Sequence, residues 1–308
     1  MKLKLNTVLV AALVAVAAGG AQAALYSSNQ NLGNPSVLFV AVNSGATQSV
    51  MINLGVNMAD FLQAGGNQVA SPGSLAYNGS NVTANWTFGS NSRTVNGIPV
   101  AGNNAWNTEF ASFLSAAPSN SYTWGVFAAD NISSAISSTN TIFNRNLFST
   151  ANHQTTTANM TALSTSTPVS TAAGNYQNYV AANAALGTHP TNDNGANNAT
   201  SGIGFLGGVT GLNGNWGGQV QWNYLASPGA VQSILLAQQA SNPVVYQLGT
   251  TYGTDALLAD QANAATFAFD GSTLTYNVGA VPEPSSLAMM FAGLALVGTL
   301  ARRRRIGR

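Results

Sequence analysis

Residues 37–42 read Val-Leu-Phe-Val-Ala-Val, an unbroken apolar run that follows Pro35 and is closed by Asn43, Ser44 and Gly45. A short apolar run between turn-forming residues is typical of a strand that is buried on both faces. The next apolar segment, Gln48 to Leu54, is therefore predicted to be its partner strand. These two segments are therefore predicted to be strands of a β-sheet.

Other segments alternate between apolar and polar residues, which is the pattern of a strand with one buried face. Val82 to Phe88 and Val220 to Tyr224 alternate in this way, and we expect Trp86 and Trp222 to point inward. Ser121 to Ala129 also has strand character. Two further alternating runs, between Phe267 and Val278, flank Asp270-Gly271 and predict a hairpin.

Helical periodicity is confined to a few segments. Asn104 to Ala117 is the clearest helix, because its large apolar residues recur at helical spacing and Pro118 ends it. These apolar residues are Trp106, Phe110, Phe113 and Leu114. A second helix is predicted from Asn175 to Leu186, with its apolar side formed by Tyr176, Tyr179 and Val180. A short helix capped by Asn57 would continue to Gln63, with Asp60 in its first turn.

The remaining segments give weaker signals. Val231 to Ala237 fits a helix or a strand, and Thr188 to Asn215, rich in Gly and Asn, is predicted to be a long loop or a mobile edge. No internal repeat of fixed period is present, which disfavours a solenoid. The fold class predicted is mainly β: one β-sandwich-like ectodomain with two or three short helices.

The charge of the chain is concentrated at its ends. Between residues 24 and 280 the only cations are Arg93 and Arg145. The acids of this body are Asp60, Glu109, Asp130, Asp193, Asp255, Asp260 and Asp270, so seven acids and two bases give a net charge of −5. Because phosphate binding needs clustered Lys and Arg, this body is not expected to bind nucleic acid or anionic lipid. The chain has no cysteine, which excludes disulfides and thiol chemistry.

The N-terminus has the organisation of a secretory signal peptide. Lys2 and Lys4 precede an apolar region from Val8 to Ala18. Ala21-Gln22-Ala23 is a small-residue site for signal peptidase, so the mature chain is predicted to begin at Ala24. The alternative is a retained membrane helix, which the shortness of the run and its small terminal residues disfavour.

The C-terminus carries three features in order. Val281, Pro282, Glu283 and Pro284 come first; the prolines favour an extended chain that a protease can bind. An apolar run from Leu287 to Ala301 follows, and then the basic stop formed by Arg302, Arg303, Arg304 and Arg305. Arginines resist crossing the bilayer and orient the C-terminus to the cytoplasm. The alternative, a buried helix of a soluble domain, is disfavoured by these four consecutive arginines.

This order of features resembles the PEP-CTERM sorting signal of exported bacterial proteins, and tails of this kind also end proteins labelled ice-binding. The resemblance implies that an exosortase, a membrane-embedded cysteine protease-transpeptidase, cuts near Pro282-Glu283-Pro284. It also implies transient insertion into the inner membrane of a Gram-negative bacterium. The body would then pass to the cell surface or to extracellular polysaccharide.

Motifs for nucleotide and catalytic chemistry are isolated. Gly202 to Gly207 matches G-x-G-x-x-G but lacks a strand before it and an acidic partner after it, so we interpret it as a flexible loop. His153 and His189 have no H-x-x-H or H-E-x-x-H neighbour and no G-x-S-x-G elbow accompanies them. Solvated side chains are the favoured interpretation of both histidines.

Two acidic patterns bear on catalysis and metal binding. Glu109 and Asp130 are candidates for a glycosidase pair, which needs two carboxylates that face one sugar. Residues 191–195, Thr-Asn-Asp-Asn-Gly, faintly suggest a calcium loop but lack its acidic spacing and its distal glutamate. Neither pattern leads us to predict a catalytic residue, a metal or a cofactor.

Two patterns could serve surface recognition. Trp216, Trp222 and Tyr224 could stack on sugar rings, although alternating aromatic residues more often form the core face of a strand. Residues 165–167, Thr-Ser-Thr, form a single T-x-T unit, whereas ice binding needs a flat array of such units.

The chain is thus predicted to have three parts: a signal peptide (1–23), a β-rich ectodomain (24–280) and a sorting tail (281–308). The predicted function is that of a non-enzymatic exported surface or extracellular-matrix protein. The alternative is a secreted carbohydrate-binding module or polysaccharide hydrolase. Exposed aromatic residues beside polar groups would favour the module, two carboxylates in one cleft would favour the hydrolase, and aromatic residues absorbed by the core would favour the structural role.

Overall fold

The computed structural model describes residues 25, 34–62, 73–100, 105–117, 121–130, 145–151, 166–190, 194–206, 215–216, 220–221, 225–239, 244–247 and 265–279. Over these residues the protein is mainly β. The strands are β1 Ser36–Asn43, β2 Ser49–Asn57, β3 Val82–Thr87, β4 Ser92–Val95, β5 Ile98–Pro99, β6 Tyr122–Ala129, β7 Arg145–Ala151, β8 Ala196–Ala199, β9 Asn215–Trp216, β10 Val220–Gln221, β11 Val231–Gln239, β12 Val244–Gln247, β13 Thr266–Phe269 and β14 Thr273–Val278. The α-helices are α1 Trp106–Ala116 and α2 Ser166–Asn183.

Twelve of the described strands form one antiparallel sheet. Its order is β5-β4-β3-β14-β13-β11-β7-β6-β1-β2-β8, with β12 paired to β11, while β9 and β10 form a separate ribbon. The predicted pairing of the first two strands is confirmed: β1 pairs with β2 and, on its other side, with β6. Every residue of β1 is buried, as its unbroken apolar sequence predicts.

The sheet curls so that its two halves face each other. The rings of Phe39 on β1 and Phe269 on β13 lie 4.9 Å apart between centroids, although three strands separate β1 from β13 in the sheet. Four strand spacings of a flat sheet would span about 19 Å. From β3, Trp86 also donates a hydrogen bond to the carbonyl of Leu54 on β2 (2.8 Å). The mainly β prediction is confirmed, but the described strands enclose the core with one continuous sheet instead of two separate ones.

The core between the facing halves is rich in aromatic rings. Phe39 packs against Phe88 at 4.8 Å and against Trp124 at 6.2 Å between ring centroids. Phe269 contacts the same cluster from β13, and Phe110 contacts it from α1. Each such pair contributes about 0.5–1.5 kcal/mol beyond the apolar area it buries. The aromatic residues therefore hold together strands that are distant in sequence.

Helix α1 confirms the first helical prediction, with one correction. Trp106, Phe110 and Phe113 are buried against the sheet. Leu114, predicted to share their face, is 36% exposed. At about 100° per residue, Leu114 lies roughly 80° around the helix from Trp106, at the margin of the apolar stripe. Its side chain therefore reaches solvent.

Helix α2 is longer than predicted. It begins at Ser166, nine residues before the predicted start at Asn175, and ends at Asn183. Tyr176, Tyr179 and Val180 are buried, as the spacing indicated. The first half carries small polar residues without an apolar period, so no helical pattern is visible there in the sequence.

The other predictions have mixed outcomes. Val82–Thr87 is a strand with Trp86 fully buried, the hairpin of β13 and β14 is present, and Asn57 precedes a 3₁₀ helix at Met58–Phe61. The ambiguous segment at Val231 is a strand.

The loop predicted from Thr188 to Asn215 is wrong in part, because β8 lies within it and pairs with β2 at the edge of the sheet. Residues 222–224, with Trp222 and Tyr224, lie outside the described residues.

Candidate functional site

The last described strand leads directly into the predicted sorting tail. Val278 ends β14, pairs with Val82 of β3 and is buried. Only Gly279, Ala280 and Val281 separate it from Pro282. Gly279 is the last described residue, and a Cβ added there would collide with the side chain of Asn81. The chain therefore leaves the sheet along a path that runs close against the start of β3.

The solvent-facing side of β3, β4, β13 and β14 forms a second candidate site. Along β3, β13 and β14 the residues alternate between buried positions and positions that face out, and Ser92 and Thr94 of β4 pair with outward positions of β3. We call the outward residues the hydroxyl–amide face; its members are Thr83, Asn85, Thr87, Ser92, Thr94, Thr266, Thr273, Thr275 and Asn277, with Ala268 among them. The face carries no charge. Rows of side chains repeat about every 4.8 Å across the strands and about every 6.8 Å along them.

Hydrogen bonds between neighbouring strands order the hydroxyl–amide face. Thr275 Oγ1 donates to Asn85 Oδ1 at 2.8 Å, and Thr83 Oγ1 donates to Asn277 Oδ1 at 3.3 Å. The hydroxyls of Thr87 and Thr273 lie 3.3 Å apart. Each hydroxyl and amide keeps further donor or acceptor capacity toward solvent. The face is thus a fixed grid of neutral hydrogen-bonding groups.

Sequence reasoning missed this face, although a signal for it is present. Residues 83–87 read Thr-Ala-Asn-Trp-Thr and residues 273–277 read Thr-Leu-Thr-Tyr-Asn. Their polar positions repeat every second residue, which places them on one side of a strand. The T-x-T unit at residues 165–167 has only its last two residues in the described part of the chain, at the start of α2.

The predicted carboxylate pair is not brought together. Glu109 on α1 accepts a hydrogen bond from Asn198 Nδ2 (2.7 Å), and the strand register connects Asn198 through Val50 and Ala41 to Trp124 of β6. Asp130 follows six residues further along that strand, or roughly 20 Å. Glycosidase carboxylates lie about 5–9.5 Å apart. Glu109 and Asp130 therefore do not form such a pair.

His189 is more buried than predicted. Its Nε2 lies 3.0 Å from Asn197 Oδ1, and Asn197 Nδ2 donates in turn to Asn183 Oδ1 (2.5 Å). Burial lowers the pKa of His189 to about 4, against the opposing effect of the Asn197 hydrogen bond. The ring is therefore neutral at pH 7 and belongs to a structural amide network. The prediction of a solvated side chain is wrong for His189; His153 lies outside the described residues.

Arg93 also serves the fold. Its Nη1 donates to the carbonyls of Gly55 (2.7 Å) and Leu54 (3.3 Å) on β2. Asp60 lies in the same region, where burial raises the pKa of its carboxyl despite hydrogen bonds from the Asn57 N–H and the Ser74 hydroxyl. These contacts explain why an otherwise nearly cation-free body retains an arginine on β4.

The glycine motif and the metal patterns give no site among the described residues. Around Gly202 the chain forms turns that bury Leu206, whose N–H donates to Ser49 Oγ (3.0 Å). Across the described ranges no group of three or more His, Asp or Glu residues could hold a metal ion. Residues 191–193 of the suggested calcium loop are not among those ranges, and neither are Trp222 and Tyr224.

The aromatic side chains that the structure does describe are used in the core. Trp86, Trp106 and Trp124 are fully buried, as are several tyrosines: Tyr122, Tyr176, Tyr179 and Tyr276. Trp86 and Trp106 also donate their indole N–H groups to backbone carbonyls of β2. None of these rings is available to stack on a ligand.

The signal peptide, with Ala21, Ala23 and Ala24, and the sorting tail from Val281 onward lie outside the described residues. Within the described ranges the structure contains no helix with the length and apolar character needed to cross a membrane. The predicted cleavage site at Ala24 and the predicted membrane helix at 287–301 therefore stay predictions.

Comparison with known families, curated proteins and solved structures gives one finding. A family model, the PEP-CTERM protein-sorting motif, matches residues 280–305. No curated protein and no solved structure matches the chain. The match begins one residue after the last described residue of the sheet and covers the predicted motif, the apolar run and the arginines. The chain therefore carries a PEP-CTERM protein-sorting motif, which indicates export, processing by an exosortase-type membrane protease and sorting to the bacterial cell surface.

Proposed function

We propose that the body of this protein is a non-enzymatic component of the cell surface or extracellular matrix, which binds neutral polysaccharide through its hydroxyl–amide face. Its sorting motif supports delivery to that location. In this proposal signal peptidase removes residues 1–23, and an exosortase cuts near Pro282-Glu283-Pro284 after transient insertion of the tail in the inner membrane. The charge-free hydroxyl–amide face is the observation that carries the binding role.

Two observations favour a structural role over catalysis. Trp86, Trp106 and Trp124 pack in the core, as do most of the tyrosines whose side chains the structure describes, and the two carboxylates considered for glycoside hydrolysis lie far apart. A hydrolase would need two carboxylates that face one sugar. The hydrolase alternative therefore draws no support from the described residues, whereas the carbohydrate-binding alternative draws support from the face.

The chemistry of the face suits an uncharged glycan. Sugar hydroxyls exchange hydrogen bonds with Thr, Ser and Asn side chains without an ionic contribution. The net charge of −5 on residues 24–280 would repel polysaccharides that carry carboxylate or sulfate groups. The fixed grid also lowers the entropic cost of binding, because its side chains are already ordered by their neighbours. A neutral, repeating polymer is the partner that fits these properties.

Co-sedimentation with insoluble neutral polysaccharides tests the proposal. The processed protein, recovered from its host, is mixed with cellulose and with a β-1,3-glucan. The variant Thr87→Lys/Thr275→Lys places two ammonium groups on the face, and Ala111→Lys/Ser112→Lys places the same charge on the exposed side of α1. We expect the wild type and the α1 variant to sediment with one of the glucans and the face variant to stay in solution.

The opposite results would exclude glycan binding by this face. If the wild type sediments with neither polymer, or if the face variant binds as well as the α1 variant, the face is only a solvated surface. A glycan-degrading activity that persists in the face variant would instead favour the hydrolase alternative.

A further inference from the structure

We propose that the end of the sheet at which β14 finishes is the membrane-facing pole of the body before the tail is cut, and that it rests on the headgroup layer of the bilayer. The proposal rests on the sorting route proposed above. It concerns a different surface from the hydroxyl–amide face. Its starting point is the short distance between a buried strand and the sorting motif.

The length of chain beyond β14 limits how far the body can be from the membrane. Leu287, the first residue of the apolar run, is nine residues beyond Val278. A fully extended chain spans at most about 3.3–3.6 Å per residue, so Val278 lies within roughly 30 Å of Leu287. The headgroup layer itself occupies about 5–8 Å of that distance. Little free linker remains between the sheet and the lipid.

The first part of this short linker is fixed to the sheet. Val278 is buried and paired with Val82, so β14 cannot release residues without breaking the centre of the sheet. Gly279 runs close against Asn81. The sequence beyond Gly279 includes Pro282 and Pro284, and a proline ring fixes its own φ and restricts the residue before it. A short attachment that begins at a fixed residue limits how far the body can turn.

The size of the body makes this restriction effective. A compact body of the 257 residues from 24 to 280 has a radius of gyration of about 18 Å, and its diameter exceeds the reach of the linker. A body of that size on so short a tether must present the end from which the tether leaves. That end contains the start of β3 and the turn between β4 and β5, and beside them β11 continues past Thr266 of β13 to Gln239, which pairs with Arg145 of β7.

The composition of this pole fits contact with lipid headgroups. We define the pole as Gly79, Ser80, Asn81, Asn96, Gly97 and Ile98, none of which is charged. Asn96 and Gly97 form a tight turn with positive φ values of 51° and 76°, and Asn96 is held to Thr83 by two hydrogen bonds (2.7 and 2.9 Å). Next to this turn, Ile98 is 58% exposed. A neutral turn with a protruding isoleucine can approach the bilayer without desolvating a charge.

The turn of the β13–β14 hairpin, at the other end of β14, is charged, whereas the pole is neutral. Asp270 lies in the turn between β13 and β14. Partial burial raises the pKa of its carboxyl, but hydrogen bonds from the N–H groups of Thr273 and Ser272 and from the Ser272 hydroxyl outweigh that effect and lower it. The carboxylate therefore stays ionised at neutral pH. This charged turn is roughly 17 Å from Val278 along β14, on the side away from the lipid.

The absence of cysteine makes the orientation measurable. Single variants Ile98→Cys and Ser272→Cys, each in the full chain, are labelled with a small fluorophore in inner-membrane vesicles from a host that lacks the exosortase. A quencher attached to lipid headgroups then reports proximity. We expect several-fold stronger quenching at position 98 than at position 272. Insertion of about 20 Gly and Ser residues between Gly279 and Ala280, a flexible coil of roughly 25 Å mean span, should remove most of that difference.

Equal quenching at both positions would overturn the proposal, and so would a difference that survives the linker insertion. A stronger signal at position 98 that appears only when exosortase is restored would assign the pole to the enzyme instead of the lipid. Recovery of the labelled chain in the soluble fraction would contradict membrane tethering, and therefore both this orientation and the sorting route. Polysaccharide co-sedimentation, measured separately, distinguishes these failures from failure of the proposed binding role.

Discussion

Three successive carbonyl groups of β2 accept hydrogen bonds from side chains. Asn53 accepts from Trp106 Nε1 (3.0 Å), Leu54 from Trp86 Nε1 (2.8 Å) and Gly55 from Arg93 (2.7 Å). These carbonyls lie where β2 bulges and β8 no longer pairs with it. Buried carbonyls without a partner cost about 1–3 kcal/mol each. The tryptophans therefore contribute both ring packing and hydrogen bonds.

Replacement of Trp106 by Phe tests this use of the indole group. Trp106→Phe retains an aromatic ring but removes the indole N–H that donates to the Asn53 carbonyl, so we expect a loss of roughly 1–3 kcal/mol in the free energy of unfolding. Urea denaturation measures the loss, and Ser112→Ala, on the exposed side of the same helix, serves as the control. An unchanged midpoint for Trp106→Phe would mean that water replaces the indole at little cost.

His189 gives the stability of the body a pH dependence. Because its pKa falls to about 4 in the folded protein, from an ordinary value near 6.5, the unfolded chain binds more protons between these two values. The contribution of the neutral, buried His189 ring to the free energy of unfolding is full above about pH 6.5 and is lost as the pH falls toward 4. The difference between the two pKa values corresponds to roughly 3 kcal/mol. We expect His189→Gln to flatten the decline of unfolding free energy between pH 6.5 and 4; identical slopes for both proteins would assign the decline to other groups.

At the scale of elements, the sequence predicted those helices and strands that have their own pattern of apolar residues. It did not predict a strand that forms only because it pairs with a distant segment. The core face of α1 follows from the spacing of Trp106, Phe110 and Phe113, and the hairpin of β13 and β14 follows from alternation around Asp270-Gly271. Strand β8 reads Ala-Asn-Asn-Ala and has no strand signal. Its conformation comes from pairing with β2, about 145 residues earlier in the chain.

The same limit applies to the candidate site. The alternation at residues 83–87 and 273–277 predicts that Thr and Asn face outward from each strand. Nothing in either segment indicates that β3 and β14 are neighbours, and only their register aligns Thr87 with Thr273 and Asn85 with Thr275. The hydroxyl–amide face therefore forms only when β3 and β14 pair, and a single sequence does not show which strands pair.

Two glycines of the α2 region provide a matched comparison. Gly187, in the turn after α2, has a φ of +55°, and a Cβ there would meet the backbone of Ala196 and Asn197. Gly174 lies inside α2 with open space around it. We expect Gly187→Ala to destabilise the body by about 1–3 kcal/mol and Gly174→Ala to stabilise it by about 0.5–1 kcal/mol. Thermal unfolding checks both, and equal effects of the two substitutions would contradict the close approach of this turn to β8.

At the scale of the whole molecule, an acidic body is joined to a strongly basic tail. The chain has nine Lys and Arg residues, but residues 24–280 contain only Arg93 and Arg145. The tail thus carries most of the positive charge, together with the sorting motif. Residues 24–308 carry a net charge of −1, and removal of the tail, which has five arginines and one glutamate, would leave the body at −5.

Glu283→Ala tests the sorting motif in the intact protein. The substitution lies beyond the last described residue of the sheet, so the body should fold normally while recognition by the exosortase is impaired. We expect uncut protein to accumulate in the membrane fraction, as it should for the wild type in a host without the exosortase. Fractionation and mass determination measure both. If the wild-type body reaches the medium equally well in hosts with and without the exosortase, and still carries its tail, residues 281–305 act only as an anchor.

The position of β14 also has a consequence for the order of events during export. Strand β14 pairs with β3 on one side and with β13 on the other, and partners such as Thr83 and Asn277 are 194 residues apart. If translocation proceeds from the N-terminus, β3 arrives outside early and waits with one edge open until almost the whole ectodomain has crossed. The strand that closes this gap emerges immediately before the sorting motif. Completion of the sheet and arrival of the cleavage signal are therefore nearly simultaneous, so a body whose last strand has not yet docked is still attached to the membrane.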